Sequence, residues 1–339
     1  MKFNYSTVKN FRNFYGSELK VEWDPGINLI LGKNASGKTN LLESLSILSG
    51  WGAFTKTSNV ISWNDEEKRC VSLYAEVSGE ESFDISAKIL SKISLRLNNK
   101  SISCTDLRLV LPSIIFVAGG ANLIDGSPSV RRLFIDRLCA LFFPPFAKKL
   151  SDFKYVLQNR ILLLKQGKPV DRTTDLYCSL GGWIMDRRRE VLKLLTDMIP
   201  PVRFNMTFRP LIMTSGEEFL REALKRNFNN ELRALHPVDG PNYDDLSIIL
   251  CENKKPVAES LSRGQKKRLI LYLIITAGKL IALKIKRNPI LLLDDFTAEL
   301  DSEGKEWTYL QLTKTNWQVF LTSPENPFSI RKKFGGIKF

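Results

Sequence analysis

The chain has 339 residues, 43% hydrophobic and 25% charged, which suits a globular protein with one large domain or two ordinary ones. No apolar run approaches the roughly 18 residues that a membrane span needs, and the N-terminus lacks the pattern of an export signal. We therefore expect a cytoplasmic protein with no membrane contact. Five scattered cysteines without a CxxC pair argue against zinc and disulfides, and a single histidine leaves carboxylates to carry any acid–base chemistry.

The net charge of +14 is unevenly placed along the chain. Residues 131–233 hold 20 Lys and Arg against 11 Asp and Glu, so under a third of the chain carries +9 of that charge. Such a surplus is typical of a surface that faces a phosphate backbone, although solvated helix faces give the same composition.

The chain begins with a strand pattern. Residues 3–8 and 19–23 alternate like paired strands, and the apolar strand 27–31 runs straight into Gly32, with a helix predicted over 40–48. Residues 70–103 are again strand-rich, with Asn98-Asn99 as a hairpin turn, and predict an antiparallel layer.

The pattern then becomes helical. Residues 131–235 show apolar spacings of three and four, clearest over 146–165 and 183–198. A Pro- and Gly-containing stretch at 236–241 follows, and the sheet pattern resumes at 246–250 and 289–293. These patterns predict an α/β protein in which a lobe made of residues 1–130 and 238–339 is interrupted by a mostly helical second lobe, residues 131–237.

A glycine-rich loop follows the strand at 27–31. Its sequence matches the Walker A pattern, and the strand before it and helix after it are the context that confirms the match. Backbone N–H groups would surround the β-phosphate of ATP, Lys38 would bridge the β- and γ-phosphates, and the Thr39 hydroxyl would ligate Mg²⁺. The residues predicted to contact the nucleotide here are Gly32, Lys33, Asn34, Ala35, Ser36, Gly37, Lys38, Thr39 and Asn40.

A second apolar strand, 289–293, is followed directly by two carboxylates and matches the Walker B pattern. Asp294 is predicted to hold Mg²⁺ through water, and Asp295 to orient or deprotonate the attacking water. With Lys38, Asp295 is a predicted catalytic residue.

A third motif decides the class of nucleotide-binding protein. Ser262, Gly264 and Gln265 open an apolar helix and resemble the ABC signature, in which a helix N-terminus docks on a γ-phosphate. Residues 298–301, which end in Asp301, resemble the D-loop. Together these motifs predict an ABC-type P-loop ATPase head with a mixed sheet and an antiparallel β layer.

In ABC ATPases the signature of one subunit caps the nucleotide held by the Walker A loop of another. This chain has one of each, so a complete site requires two chains. We expect an ATP-dependent homodimer that hydrolysis releases.

Sequence along most of the chain resembles the RecF family. The resemblance rests on residues 10–13, 25–28, 40–43, 126–136, 155–165, 240–246 and 291–301. It implies an SMC-type ATPase head without coiled-coil arms, with Arg12 as a nucleotide contact. It also implies binding to double-stranded or gapped DNA and the loading of recombinase together with RecR and RecO.

The chain departs from the family pattern at three places. Ala118-Gly119-Gly120 replaces Pro-Glu-Asp, Asn242-Tyr243 replaces His-Arg, and Arg263 replaces Gln in the signature. These changes leave ATP binding and Mg²⁺ ligation intact and bear on the hydrolysis rate and the nucleotide response.

Two basic runs are the predicted DNA contacts. Arg187, Arg188 and Arg189 lie in the basic segment, where pairing with Asp186 and Glu190 is the alternative. Lys266, Lys267 and Arg268 follow the signature and form the second candidate.

Two other functions stay open at this point. One is an ABC-type ATPase of another system, such as defence, in which the helical lobe binds a protein. The other is a nucleotide-binding scaffold that does not hydrolyse. A transporter subunit is disfavoured because a basic helical insertion separates Walker A from the signature.

Overall fold

A computed structural model describes residues 1–54, 70–79, 81–117, 123–199, 204–252, 254–298, 300–328 and 335–338. The chain forms two compact units. The first unit is made of Met1–Ala121 with Ser262–Phe339, and the second of Asn122–Leu261. Among the helices of the described residues, none is long and apolar enough to cross a membrane.

The first unit contains a six-stranded antiparallel sheet. Its strands are β1 (Lys2–Lys9), β2 (Leu19–Glu22), β4 (Val71–Ser78), β5 (Phe83–Ile89), β6 (Ile93–Leu97) and β7 (Lys100–Ser101). They are arranged in the order β2-β1-β4-β5-β6-β7. Buried and accessible residues alternate along β4, because one face of the sheet packs inward and the other meets solvent. Asn98 and Asn99 adopt positive φ between β6 and β7, which confirms the predicted hairpin turn.

A five-stranded parallel sheet forms the centre of the same unit. Its strands are β3 (Ile27–Leu31), β8 (Ser113–Phe116), β11 (Ile290–Leu293), β12 (Val319–Ser323) and β13 (Gly335–Lys338). They are arranged in the order β13-β3-β12-β11-β8. Every residue of β11 and β12 is buried, as expected for parallel strands covered on both faces. The carboxyl ends of β3, β11 and β12 therefore meet at one edge of the sheet.

Four helices complete the described part of the first unit. They are α1 (Lys38–Leu48), α2 (Cys104–Val110), α8 (Arg263–Ile285) and α9 (Ser302–Thr313). Helix α1 packs against β4 and β5 on the inner face of the antiparallel sheet. The long apolar run after the signature is buried in α8, as its sequence predicted.

The side chain of Gln318 joins the two sheets. Its Oε1 accepts a hydrogen bond from the backbone N–H of Phe3 at 2.7 Å. Its Nε2 donates to the carbonyl oxygens of Phe3, at 2.8 Å, and Asp24, at 2.9 Å. Gln318 directly precedes β12 and is 1% exposed, so its amide replaces a backbone peptide group between β1 and β12. We call these three bonds the Gln318 bridge.

The second unit is mostly helical. Its elements are α3 (Pro128–Phe142), α4 (Phe146–Lys165), α5 (Asp171–Asp197), β9 (Phe204–Arg209), α6 (Gly216–Ala234), β10 (Asp245–Leu250) and α7 (Val257–Ser260). Helix α4 has its predicted bounds, whereas α5 begins well before the predicted start at residue 183. A side chain at Gly182 or Gly216 would collide with the facing backbone, so α5 and α6 pack closely there.

The structure corrects the predicted end of the second lobe. The sequence placed the strand at 246–250 in the ATPase lobe, after a boundary at residue 237. In the structure β10 pairs with β9 in antiparallel register, with Asp245 opposite Arg209, and the second unit extends to Leu261. An apolar alternation identifies a strand but not its pairing partner, which is why the pattern misled.

Candidate nucleotide-binding site

The loop between β3 and α1 has the backbone of a phosphate cradle. Ala35 and Gly37 adopt positive φ of 66° and 105°, which lets successive N–H groups turn toward the start of α1. The positive φ of Gly37 favours glycine at this position, and the side chain of Asn13 lies directly beside it. Asn13 also donates to the carbonyl oxygen of Ser36 at 3.3 Å and accepts from Asn40 at 2.7 Å.

Lys38 lies inside this loop. Its Nζ donates to the carbonyl oxygens of Gly32 at 2.7 Å and Lys33 at 2.8 Å, and the residue is 8% exposed. The loop backbone therefore aims the ammonium group at the space in front of the α1 N-terminus. This is the position that the Walker A motif requires of its lysine.

Asp294 follows β11 and faces two hydroxyl groups. Its Oδ1 accepts from Thr39 Oγ1 at 2.9 Å and from Thr322 Oγ1 at 2.7 Å. A carboxylate oxygen and a threonine hydroxyl at hydrogen-bond distance form a set of hard oxygen donors that suits Mg²⁺. The structure thus brings together the two residues predicted to hold the metal.

Thr322 is a site residue that the sequence analysis missed. It lies near the carboxyl end of β12, is fully buried, and also accepts the backbone N–H of Asp295 at 2.8 Å. One hydroxyl group therefore contacts both the Asp294 carboxylate and the Asp295 backbone. The available signal was a polar residue near the end of an otherwise apolar strand.

Asp295 adopts the left-handed conformation, with φ of 47°. Its Oδ1 is buried and has no hydrogen-bond partner in the described part of the chain, and the same holds for the Ser36 hydroxyl in the Walker A loop. Unpaired buried polar atoms at a phosphate loop mark places where a ligand or water is bound. The Asp295 carboxylate therefore has an oxygen available to a water molecule, and its role in orienting that water stays a prediction.

Arg12 is placed by a buried ion pair. Its guanidinium binds both carboxylate oxygens of Glu43 on α1, and the Glu43 side chain also accepts from the backbone N–H of Phe54 at 2.6 Å. Glu43 is 1% exposed. The structure thus supplies a partner for Arg12 that the sequence analysis did not name, and Asn13, the next residue, contacts the Walker A loop.

The signature residues form the N-terminus of α8. Ser262 and Gln265 make a capping box, in which Ser262 Oγ accepts from the Gln265 N–H and Gln265 Oε1 accepts from the Ser262 N–H. Both side chains are exposed, and open space surrounds the Cα of Gly264. This helix start is therefore free to receive an anion.

The D-loop leads into α9, with Asp301 as its N-cap. Asp301 Oδ1 accepts from the backbone N–H of Gly304 at 2.7 Å. Glu299, which belongs to the predicted D-loop, lies outside the described residues, as do Ala118-Gly119-Gly120.

Two of the predicted DNA contacts on α8, Lys267 and Arg268, bind residues of the D-loop and of the start of α9. Lys267 donates to the carbonyl oxygen of Ala298, and Arg268 pairs with Glu303 at 3.1 Å. Lys266, Lys267 and Arg268 are only partly exposed. These contacts connect α8 to the D-loop segment.

The structure corrects the predicted DNA contacts of the other basic run, residues 187–189, at Arg188. Its side chain is 3% exposed and binds Asp136 at 2.8 Å and Asp244 at 3.0 Å, so it cannot meet a DNA phosphate. Arg189 also binds Asp244, whose pKa burial raises above its ordinary value against the opposing effect of both arginines. Arg187 pairs with Glu190 at 2.6 Å. Three consecutive residues on a helix point in different directions, and here the middle one points into the core.

A cradle before α1, a carboxylate pair after β11 and a capped signature helix define an ABC-type P-loop ATPase head. The family model described as RecF/RecN/SMC N terminal domain matches residues 4–334. The chain therefore belongs to the RecF/RecN/SMC N-terminal domain family, and within it to the RecF type.

Curated relatives share this length. The protein named "DNA replication and repair protein RecF" from Leptospira interrogans is 28% identical over 96% of this chain and 92% of its own length. Its namesake from Streptococcus agalactiae is 26% identical over 94% of this chain and 90% of its own length.

Solved structures confirm the predicted fold class. The recombination mediator protein RecF-ATPrS in the RecFOR pathway superimposes with a TM-score of 0.83 at 24% identity, covering 97% of this chain and 94% of that one. An SMC head bound to the winged-helix domain of ScpA gives a TM-score of 0.53 at 15% identity, covering 96% and 91%.

Proposed function

We propose that this chain is an ATP-dependent DNA-binding protein of recombinational repair, which dimerises around ATP and is released by slow hydrolysis. The observation that carries the proposal is the pairing of a complete Walker site with an exposed, capped signature helix on the same chain. The relatives named RecF, and the RecF structures with ATP and ATPrS in the RecFOR pathway, support ATP as ligand and RecR and RecO as partners.

The contacts of each group of site residues suggest a separate role for it. The Walker A backbone and Lys38 would bind the β- and γ-phosphates. Thr39 and Asp294 would hold Mg²⁺, which when bound neutralises the charge that develops on the phosphates. Asp295, fixed by Thr322, would orient the attacking water.

The second half of the site would come from another copy of the chain. The Ser262 hydroxyl group, the Gly264 N–H and the positive end of the α8 dipole would suit a γ-phosphate, since the Ser262 N–H already donates to Gln265 Oε1. Asp301 and the D-loop would lie at the seam. Because the γ-phosphate contributes to the dimer and is lost on hydrolysis, the proposed dimer depends on the nucleotide state.

The test is the mass of the Asp295→Asn variant in solution. The amide keeps the shape of the side chain but removes the orienting charge, so we expect ATP to double the mass measured by light scattering and to hold it there. Lys38→Ala is the matched control and should stay at monomer mass with ATP. A monomer of Asp295→Asn under saturating ATP would contradict the proposed dimer.

A further inference from the structure

Among the described residues, α1 packs against one face of the antiparallel sheet of the first unit, and the side chains of the other face are partly or fully exposed. Alternation places one set of side chains inward, where they are buried against α1 among other elements, and the opposite set outward. We call the second set the outer face. Its residues on the five longest strands are Tyr5, Thr7, Lys9, Lys20, Glu22, Ser72, Tyr74, Glu76, Asp84, Ser86, Lys88, Ser94 and Arg96.

Strand register places four cations of the outer face in a line. Lys9 pairs across with Ser72, and Ser72 with Lys88, so one strand separates the two lysines, a distance of about 10 Å between their backbones. Lys20 is the diagonal neighbour of Lys9, since it pairs with Thr7. Arg96 is the diagonal neighbour of Lys88, since it pairs with Ser86. We call Lys20, Lys9, Lys88 and Arg96 the cation track.

The cation track is not neutralised by the protein. Lys9, Lys88 and Arg96 are exposed and form no ion pair with any residue that the structure describes. Lys20 is also exposed, and its ammonium lies over the Tyr5 ring, 4.3 Å from the centroid.

The three carboxylates of the outer face, Glu22, Glu76 and Asp84, lie in one row beside the cation track, and two of them have other partners. Glu76 accepts from the Asn4 amide at 2.7 Å, and Asp84 accepts from the Tyr74 hydroxyl at 2.7 Å. Neutral donors satisfy these two acids. The hydroxyl groups of Ser72, Ser86 and Ser94 lie beside these cations on the same face. They can donate hydrogen bonds to phosphate oxygens.

We propose that the cation track binds the sugar–phosphate backbone of duplex DNA. The inference rests on the proposed DNA-binding function and assigns part of that function to the first unit. Neighbouring cations of the track lie within about one Debye length of each other at physiological salt, so their potentials add. Lysine, arginine and hydroxyl contacts to phosphate carry no base information, so binding at this face is independent of sequence.

The test is charge reversal at two neighbours of the track, Lys88→Glu with Arg96→Glu. The matched control reverses two exposed lysines of α8, Lys279→Glu with Lys284→Glu, and therefore has the same net charge. Binding of a fluorescent 30-base-pair duplex is measured by anisotropy with ATP at two salt concentrations. Calorimetric ATP titration and melting temperature verify that both variants are folded.

We expect the track variant to bind DNA about tenfold or more weakly and the salt slope to fall by about 2, since two phosphate contacts are lost. The control should keep the wild-type slope. The neutral pair Lys88→Gln with Arg96→Gln should give a smaller loss of affinity in the same direction. Wild-type affinity and slope in the track variant overturn the inference and leave the proposed function standing. No DNA binding by the wild-type protein at either salt concentration overturns the proposed function itself.

Discussion

At the scale of residues, the site depends on a few polar side chains that each serve two others. Thr322 donates to Asp294 and accepts from the Asp295 backbone, and Asp294 in turn accepts from Thr39. Thr322 and Asp294 are buried, which makes the loss of a bond between them costly. Protein contacts alone therefore fix the orientation of the Asp294 carboxylate, the proposed Mg²⁺ ligand.

Replacing Thr322 with valine, which has the same shape, tests this arrangement. The Asp295 N–H would lose its acceptor and Asp294 one donor, so we expect the free energy of unfolding to fall by about 1–3 kcal/mol. The Mg²⁺ dependence of ATP binding should weaken as well. Urea denaturation and ATP titration with and without Mg²⁺ measure the two effects.

Thr322→Ser is the control for this prediction, because it keeps the hydroxyl group. It should retain the Mg²⁺ dependence of the parent protein. An unchanged Mg²⁺ dependence in Thr322→Val would show that Asp294 is oriented without the hydroxyl.

Site residues that belong to a spaced motif could be predicted from the sequence, and isolated ones could not. Lys38, Thr39 and Asp294 stand in patterns whose spacing reflects the geometry of the phosphates. Thr322 stands alone in a buried strand, where a threonine has many uses. The inward direction of Arg188 depended on Asp136 and Asp244, which are distant in sequence.

At the scale of elements, the start of α8 has two roles. The capping box of Ser262 and Gln265 stabilises the start of the helix, and the Ser262 hydroxyl group and the neighbouring Gly264 N–H would contact a γ-phosphate held by another copy. The stability of α8 and the proposed dimerisation thus both depend on Ser262. A useful mutation must change one of these two properties without the other.

We predict that Ser262→Arg preserves ATP binding by the monomer and prevents ATP-dependent dimerisation. The arginine removes the cap, at a cost of about 1 kcal/mol, and its side chain fills the place of the phosphate. ATP titration and light scattering measure the two properties.

Ser262→Asp is the matched variant, since aspartate is a good N-cap but repels a phosphate. It should keep helix stability and still fail to dimerise. A dimer of normal mass in Ser262→Asp would remove the signature helix from the proposed interface.

The position of a strand could be predicted from the sequence, but its pairing partner often could not. Residues 246–250 were identified as a strand from alternation, yet their partner is β9 in the second unit. The sequence of β9 also alternates apolar and polar residues, but alternation does not show which strands pair, so the pairing required tertiary information. By contrast, β11 could be assigned to the central sheet because the Walker B motif fixes its neighbours.

At the scale of the whole molecule, the first unit is assembled from the two ends of the chain. The Gln318 bridge is one of the contacts that join them, since Phe3 and Gln318 are far apart in sequence and the bridge is buried. The interrupted first unit was predictable because Walker A and Walker B must meet. The Gln318 bridge could not be predicted, because no sequence motif identifies a glutamine side chain that hydrogen-bonds in place of a peptide group.

We predict that Gln318→Leu lowers the free energy of unfolding by about 2–4 kcal/mol, because at least two buried backbone groups lose their partners. Gln318→Glu should cost more, since it adds a buried charge and removes both donated bonds. Urea unfolding followed by far-ultraviolet circular dichroism measures the loss. Equal stability of Gln318→Leu and the parent protein would mean that water satisfies these groups.

The lengths of the outermost strands bear on how copies of the chain can associate. The antiparallel sheet ends in β2, with four residues, and β7, with two, while the parallel sheet ends in β8 and β13, with four each. Long free strand edges invite permanent edge-to-edge pairing and aggregation, and short ones discourage it. In the described part of the first unit, association by sheet extension is thus disfavoured. Short edges therefore agree with the proposed dimer, which forms through the nucleotide and separates when the nucleotide is hydrolysed.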